Sequence, residues 1–191
     1  QVAAALKNVV AVFVGVLDGM GLGDNAQAFI MTRGLEEIKK VGIAYGAKEE
    51  TFLSLAGVGD LIVTCNSEHS RNRKVGKEVG QGRKLQEVID EMAMVAEGVT
   101  TLKEAIGLKK KFGLELPLIT GLYEILFEGK DLSFTMMPSI LKATVLLIIE
   151  PIFLGSVTSS RAIRLRLFFL FSITNSFKVI SSNCSTSANK P

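Results

Sequence analysis

The sequence predicts an all-α fold. Apolar residues recur at spacings of three and four, and glycines and capping residues punctuate the polar stretches between them. No apolar–polar alternation of strand type interrupts the series. Residues 2–17 set the pattern, being nearly apolar all round and broken only by Lys7 and Asn8. A helix of that kind belongs at the centre of a core. A lysine and an asparagine inside it are costly unless they are paired or working.

The spacing of Gly19, Gly21 and Gly23 ends this first helix. Asp24 reads as the N-cap of a second helix running to about Tyr45, with Gly46 as its C-cap. Its apolar positions Ala26, Phe29, Ile30, Leu35, Ile38 and Val41 keep amphipathic spacing. Short helices are expected over residues 49–55, 60–65 and 70–79, and Leu85, Val88, Ile89 and Met92 mark another. A longer helix over 99–112 stops at Gly113. Pro117 suits the first turn of a last one, through Leu118, Leu122, Ile125 and Leu126 to Gly129.

At 191 residues the chain can build one domain with a sizeable core, placed at 1–137. Its hydrophobic fraction of 48% is high, and its net charge of +3 is small and dispersed along helices, so no nucleic-acid partner is expected. Cys65 and Cys184 lie far apart without metal-ligand spacing, which favours a reducing compartment over a disulfide framework. His69 is the only histidine, so neither a histidine metal site nor a Ser-His-Asp triad can be assembled, and no metal is expected. No signal or transit segment is visible. No G-x-G-x-x-G follows a strand-like run. With Gln1 as the first residue, the simplest expectation is a chain missing its natural N-terminus.

Composition shifts at residue 138. The stretch 138–191 carries apolar runs at 145–149, 152–154 and 167–171, then a Ser/Asn-rich end. Glu150-Pro151 breaks the first run, and Arg161, Arg164 and Arg166 precede the last. None reaches the roughly 20 apolar residues of a membrane span, so no membrane association is expected. The stretch reads as a divergent, poorly ordered tail.

The chemistry concentrates in residues 57–65, Gly-Val-Gly-Asp-Leu-Ile-Val-Thr-Cys, and in Ser70-Arg71-Asn72-Arg73. The first stretch sets Asp60 beside a glycine-lined turn. The second offers hydroxyl, guanidinium and amide donors that suit a phosphate dianion, since guanidinium binds phosphate oxygens bidentately. Ser70 also reads as a plain N-cap with solvated arginines behind it, and Asp60 as the N-cap of its own short helix. Lys7 could snorkel to the surface. Its apolar flanks would instead penalise the charged ammonium, the condition for giving and taking a proton. Arg73 and Lys74 read as solvated.

Lys7-Asn8, Gly23-Asp24-Asn25, Thr32-Arg33-Gly34, residues 57–65, residues 70–73 and Val95-Ala96-Glu97-Gly98 occur in this order. With these spacings residues 1–131 resemble the C-terminal, substrate-binding domain of NAD(P)-dependent glycerol-3-phosphate dehydrogenase. The resemblance implies a multi-helix domain of the 6-phosphogluconate-dehydrogenase-like type. It also implies reversible hydride transfer between NAD(P)H and dihydroxyacetone phosphate to give sn-glycerol 3-phosphate. By matching, Lys7 is the general acid/base and Asp60 its catalytic neighbour. Lys7, Asn8, Asp60, Thr64, Ser70, Arg71 and Asn72 form the substrate site, with Ser70, Arg71 and Asn72 on the phosphate. Arg71, Val95 and Glu97 face the cofactor, NAD or NADP, although Glu97 could equally complement the start of the helix after it. Gly23-Asp24-Asn25 is read as a cap and Thr32-Arg33-Gly34 as close helix packing.

In that family the dinucleotide-binding domain comes first and supplies a second active-site lysine. This chain alone is therefore expected to turn over little. A homodimer in the full-length enzyme and a cytoplasmic or plastid location also follow from the resemblance. The competing expectation is a catalytically inactive helical module for dimerisation or interaction.

Overall fold

A helix with so few polar positions has to be enclosed, and α1 (Val2–Gly19) is. In the computed structural model of the protein, which describes residues 2–92 and 96–130, Leu6 and every residue from 9 to 17 are buried. Around α1 stand α2 (Asp24–Ala44), α3 (Asp60–Asn66), α4 (Arg71–Gly80) and α6 (Glu97–Phe112), all in direct contact with it. The helix α5 (Leu85–Glu91) leans on α4, and α7 (Pro117–Glu128) packs against α2 and α6. No strand occurs among the described residues. The fold is all-α, as the spacing predicts.

The tightest contact is between α1 and α4, and glycine makes it possible. Gly15 and Gly19 on α1 lie against the carbonyls of Arg73 and Lys77, while Gly76 and Gly80 on α4 lie against those of Val12 and Val16. A Cβ at any of the four would run into a backbone oxygen of the other helix. Backbones can approach this far only where no side chain intervenes, and the reward includes weak Cα–H···O contacts. Partners step by four on both helices, so α1 and α4 run in the same direction in one register.

Other close approaches follow the same logic. Gly34 rests on the Val10 side chain, with a Cβ there falling 2.6 Å from Val10 Cγ2, so the packing expected of Thr32-Arg33-Gly34 is found at its glycine. Gly113 (φ 63°) and Gly129 (φ 65°) close α6 and α7 in the left-handed conformation that glycine adopts freely.

Three boundaries depart from expectation. Asp24 is not a cap: Gly23, which has no side chain to cap with, holds the N-cap position, and Asp24 is the first helical residue. An acid in the first turn still complements the positive helix end. The segment expected as a helix over 49–55 is a 3₁₀ turn (Glu49–Leu53) followed by a π turn (Leu55–Gly59). Helix α6 starts at Glu97, two residues early, because a side chain from α4 satisfies one of its first amides.

A buried acid went unforeseen. Glu37 on α2 is 4% exposed and accepts hydrogen bonds from the amides of Leu118 (2.7 Å) and Ile119 (3.0 Å). It supplies from outside the cap that Leu116, ahead of Pro117, cannot offer α7. Burial raises its carboxyl above the ordinary range; the two amides, Lys40 and Arg33 pull the other way without offsetting that cost.

The expectations for residues 138–191 lie outside the described residues. Among those described, no helix is long and apolar enough to cross a membrane, and no group of three His, Cys, Asp or Glu side chains could hold a metal ion.

Candidate active site

Lys7 lies on α1 one turn after its start, where the helix emerges from the core. Its Nζ donates to Asp60 Oδ2 at 2.5 Å, and the two side chains are 22% and 39% exposed. The ion pair joins the first residue of α3 to the central helix. The turn before α3 arranges this: Gly57 sits against the Phe52 carbonyl, and a Cβ on Gly59 would lie 2.7 Å from Leu55 Cδ1. The N-cap reading of Asp60 is corrected here. Gly59 already has helical angles (φ −62°, ψ −49°), so the π turn runs straight into α3 and the carboxylate is left for Lys7. A small cleft opens at the pair, with Phe52, Ala56, Gly57 and Ile38 in its wall.

Lys7 is thus paired with a carboxylate, one of the two conditions under which a lysine in an apolar helix is tolerated. Thr64 lies one turn after Asp60 and returns its hydroxyl to the Asp60 carbonyl at 2.7 Å.

The glycine register of α1 and α4 brings a second group together. Stepping back one turn from the Val12–Gly76 contact leads to Asn8 and Asn72, and the two meet at the start of α6. Asn72 Oδ1 accepts from the Gly98 amide at 2.9 Å, and Asn8 Nδ2 donates to Glu97 Oε2 at 3.4 Å. Gly98 is enclosed there: a Cβ would stand 2.5 Å from Asn8 O and 3.0 Å from Asn72 Oδ1. Asn8, Asn72 and Glu97 therefore form one cluster, adjacent in sequence to the Lys7–Asp60 pair. Val95 lies outside the described residues.

Ser70 takes the N-cap of α4, its Oγ accepting from the Arg73 amide at 3.3 Å. Arg71, the first helical residue, is exposed and makes no ion pair among the described residues. The expectation that Arg73 is solvated is wrong. Its Nη2 reaches Asp18 Oδ2 and its Nη1 the Asn66 carbonyl, both at 3.2 Å, with the side chain 20% exposed. No local signal could have revealed it, since Asp18 lies 55 positions away. Lys74 is exposed as expected. Below, Cys65 is fully buried; desolvation pushes its thiol up to about 12 against the opposing charges of Arg73 and Lys7. It is no nucleophile at neutral pH.

Comparison with known proteins places this bundle among the helical C-terminal domains of oxidoreductases. Residues 1–137 match the family described as NAD-dependent glycerol-3-phosphate dehydrogenase C-terminus, and the chain belongs to that family. A glycerol-3-phosphate dehydrogenase [NAD(P)+] from Geobacillus thermodenitrificans is 53% identical over 131 residues, covering 69% of this chain and 38% of the relative. Another, from Ligilactobacillus salivarius, is 50% identical over 132 residues, covering 69% and 39%. Among solved structures, a glycerol-3-phosphate dehydrogenase from Coxiella burnetii superposes with a TM-score of 0.70 at 34% identity, over 73% of this chain and 43% of that one. One from Saccharomyces cerevisiae gives 0.63 at 34% identity, over 71% and 42%. The chain spans somewhat over a third of the length of the curated relatives it matches.

Proposed function

We propose that this chain forms the substrate-binding and proton-handling half of an enzyme interconverting dihydroxyacetone phosphate and sn-glycerol 3-phosphate with NAD(P)H, its domain extending over 1–137. The observation that carries this reading is the Lys7–Asp60 pair at the mouth of a small cleft. It sits in a chain whose relatives are named for that dehydrogenase activity and for NAD(P)+.

In this reading Lys7 donates a proton to the C2 oxygen as the carbonyl becomes an alcohol, and takes it back in the reverse direction. Asp60 holds the ammonium in place and can accept a hydrogen bond from a substrate hydroxyl. Thr64 lines the same side. Arg71 offers the phosphate a guanidinium that has no ion pair among the described residues, with Ser70 and Nδ2 of Asn72 as neutral donors. Binding the phosphate at a distance orients the reacting carbon.

The polar set also fits a nicotinamide nucleotide: the Arg71 guanidinium at the start of α4 donates, and the Glu97 carboxylate at the start of α6, bonded to Asn8, accepts. Those residues, with Val95, would meet the cofactor from this side. Bound NAD(P)H supplies the hydride; the chain's own residues supply orientation and the proton. A homodimer of the full-length enzyme belongs to the same proposal.

The test joins this chain behind a dinucleotide-binding domain of the family and follows NADH absorbance with dihydroxyacetone phosphate. Turnover that disappears in the Lys7→Ala fusion is expected. A folded fusion without turnover would replace this reading with a non-enzymatic helical module.

A further inference from the structure

Arg73 does more than the solvated arginine its position suggested. Its guanidinium spans three elements: the Asp18 carboxylate on α1, the carbonyl of Asn66 at the end of α3, and its own helix α4. Its backbone amide meets the hydroxyl of Ser70, and its carbonyl lies against Gly15. The connection it clasps, residues 67–70, is only four residues long and folds on itself: the Ser70 amide donates to Ser67 O at 3.1 Å and the His69 amide to Ser67 Oγ at 3.3 Å. Helix α3, with Thr64 in its last turn and Asp60 at its start, leads into this loop; Ser70, Arg71 and Asn72 lead out of it.

A plain α1–α4 ion pair would not need an arginine. Lys77 already reaches the same Asp18 oxygen at 3.2 Å. An ammonium at position 73 would have to meet both partners from one nitrogen, whereas the guanidinium reaches Asp18 and the Asn66 carbonyl with two separate nitrogens held in one rigid plane. The arrangement also leaves Arg73 Nε buried with no partner among the described residues, a cost that calls for an explanation.

We propose that Arg73 is a positioning residue for the phosphate end of the site: by fastening Asn66 to α1, it sets the spacing between the Lys7–Asp60 pair and the donors at Ser70–Asn72. The proposal rests on the functional reading above for its ligand and on geometry for the rest. Arg73 need not touch substrate. Its guanidinium is engaged with Asp18 and Asn66, whereas that of Arg71 is exposed.

The test compares the full chain with its Arg73→Lys variant by two measurements. Amide hydrogen exchange on the unliganded protein should speed up locally, at Ser70 and Arg73, while the amides of α1 keep their protection. Titration with sn-glycerol 3-phosphate, followed by amide chemical shifts, should give about tenfold weaker binding, the loss expected when one charge-assisted hydrogen bond is misplaced. Inorganic phosphate serves as a second ligand and should weaken less, having no reacting carbon to align. Exchange that rises uniformly across α1 and α4 with unchanged affinity would reduce Arg73 to a structural residue, as would no change in either measurement. If the unsubstituted chain binds neither ligand, the functional reading falls, and local exchange still decides whether Arg73 organises the connection.

Discussion

Lys7 and Asp60 are coupled at 2.5 Å, yet their substitutions should differ in effect. On the proposed reading, removing Lys7 removes the proton carrier, worth about 10²–10⁴ in rate for a positioned acid or base. Asp60→Asn keeps the shape and one acceptor but discards the charge that fixes the ammonium. In the fused enzyme we expect turnover lower by roughly tenfold to a hundredfold, the scale of a misplaced catalytic group, with the fold intact by circular dichroism. Equal turnover in Asp60→Asn and the parent would remove Asp60 from the machinery. At this scale the sequence was readable wherever a residue's chemistry clashed with its setting. Lys7 and Asn8 in an apolar helix announced themselves. Arg73 did not, because arginine in a short polar helix is ordinary and its partner is distant in sequence. Glu37 carried a signal that can be recognised in retrospect: it lies on the buried stripe of Ile30, Gly34, Ile38 and Val41, where a charge has no place unless it is bonded.

Among the elements, glycine substitutions should change sign with position. Gly76→Ala inserts a methyl into the Val12 carbonyl and should cost about 1–3 kcal/mol, outweighing the helix propensity it gains. Gly107→Ala, exposed on α6 with open space around it, should instead stabilise by about 0.5–1 kcal/mol. Urea midpoints of the two variants would separate these cases; stabilisation by both would contradict the close α1–α4 packing. Glu37 makes a pH-dependent prediction. Its carboxyl is raised above the ordinary value of 4.5, so the stability it contributes is complete when it is protonated, below that value, and is lost as pH climbs through the raised one. Relative to Glu37→Gln, the parent should therefore lose stability as pH rises from about 4.5 towards neutrality. Glu37→Ala, which strands two buried amides, should cost about 2–4 kcal/mol at low pH and less as pH rises. Helix existence was legible from periodicity, and helix ends from Gly113, Gly129 and Ser70. The start of α6 was not, since it is capped by a residue of another helix, and neither was the π turn that runs into α3.

At the scale of the molecule, the described residues contain no strand and hence no strand-to-helix glycine turn of the dinucleotide-binding kind. The unfused chain is accordingly expected to oxidise NADH with dihydroxyacetone phosphate at background rate while still binding sn-glycerol 3-phosphate. Normal turnover by the unfused chain would overturn this. Four of the candidate groups reach the site through α1: Lys7 and Asn8 lie on it, Asp60 is paired to it, and Asn72 is held by α4 alongside it. The four glycines between α1 and α4 give that arrangement a further property. The two helices are keyed to each other through main-chain atoms, which are the same whatever side chains surround them. Hydrophobic residues elsewhere on α1 can therefore be exchanged over generations, with gains and losses of stability, while Asn8 and Asn72 stay in register. Sequence drift is barred at Gly15, Gly19, Gly76 and Gly80 and free around them, so the site can outlast the core that was first built to hold it.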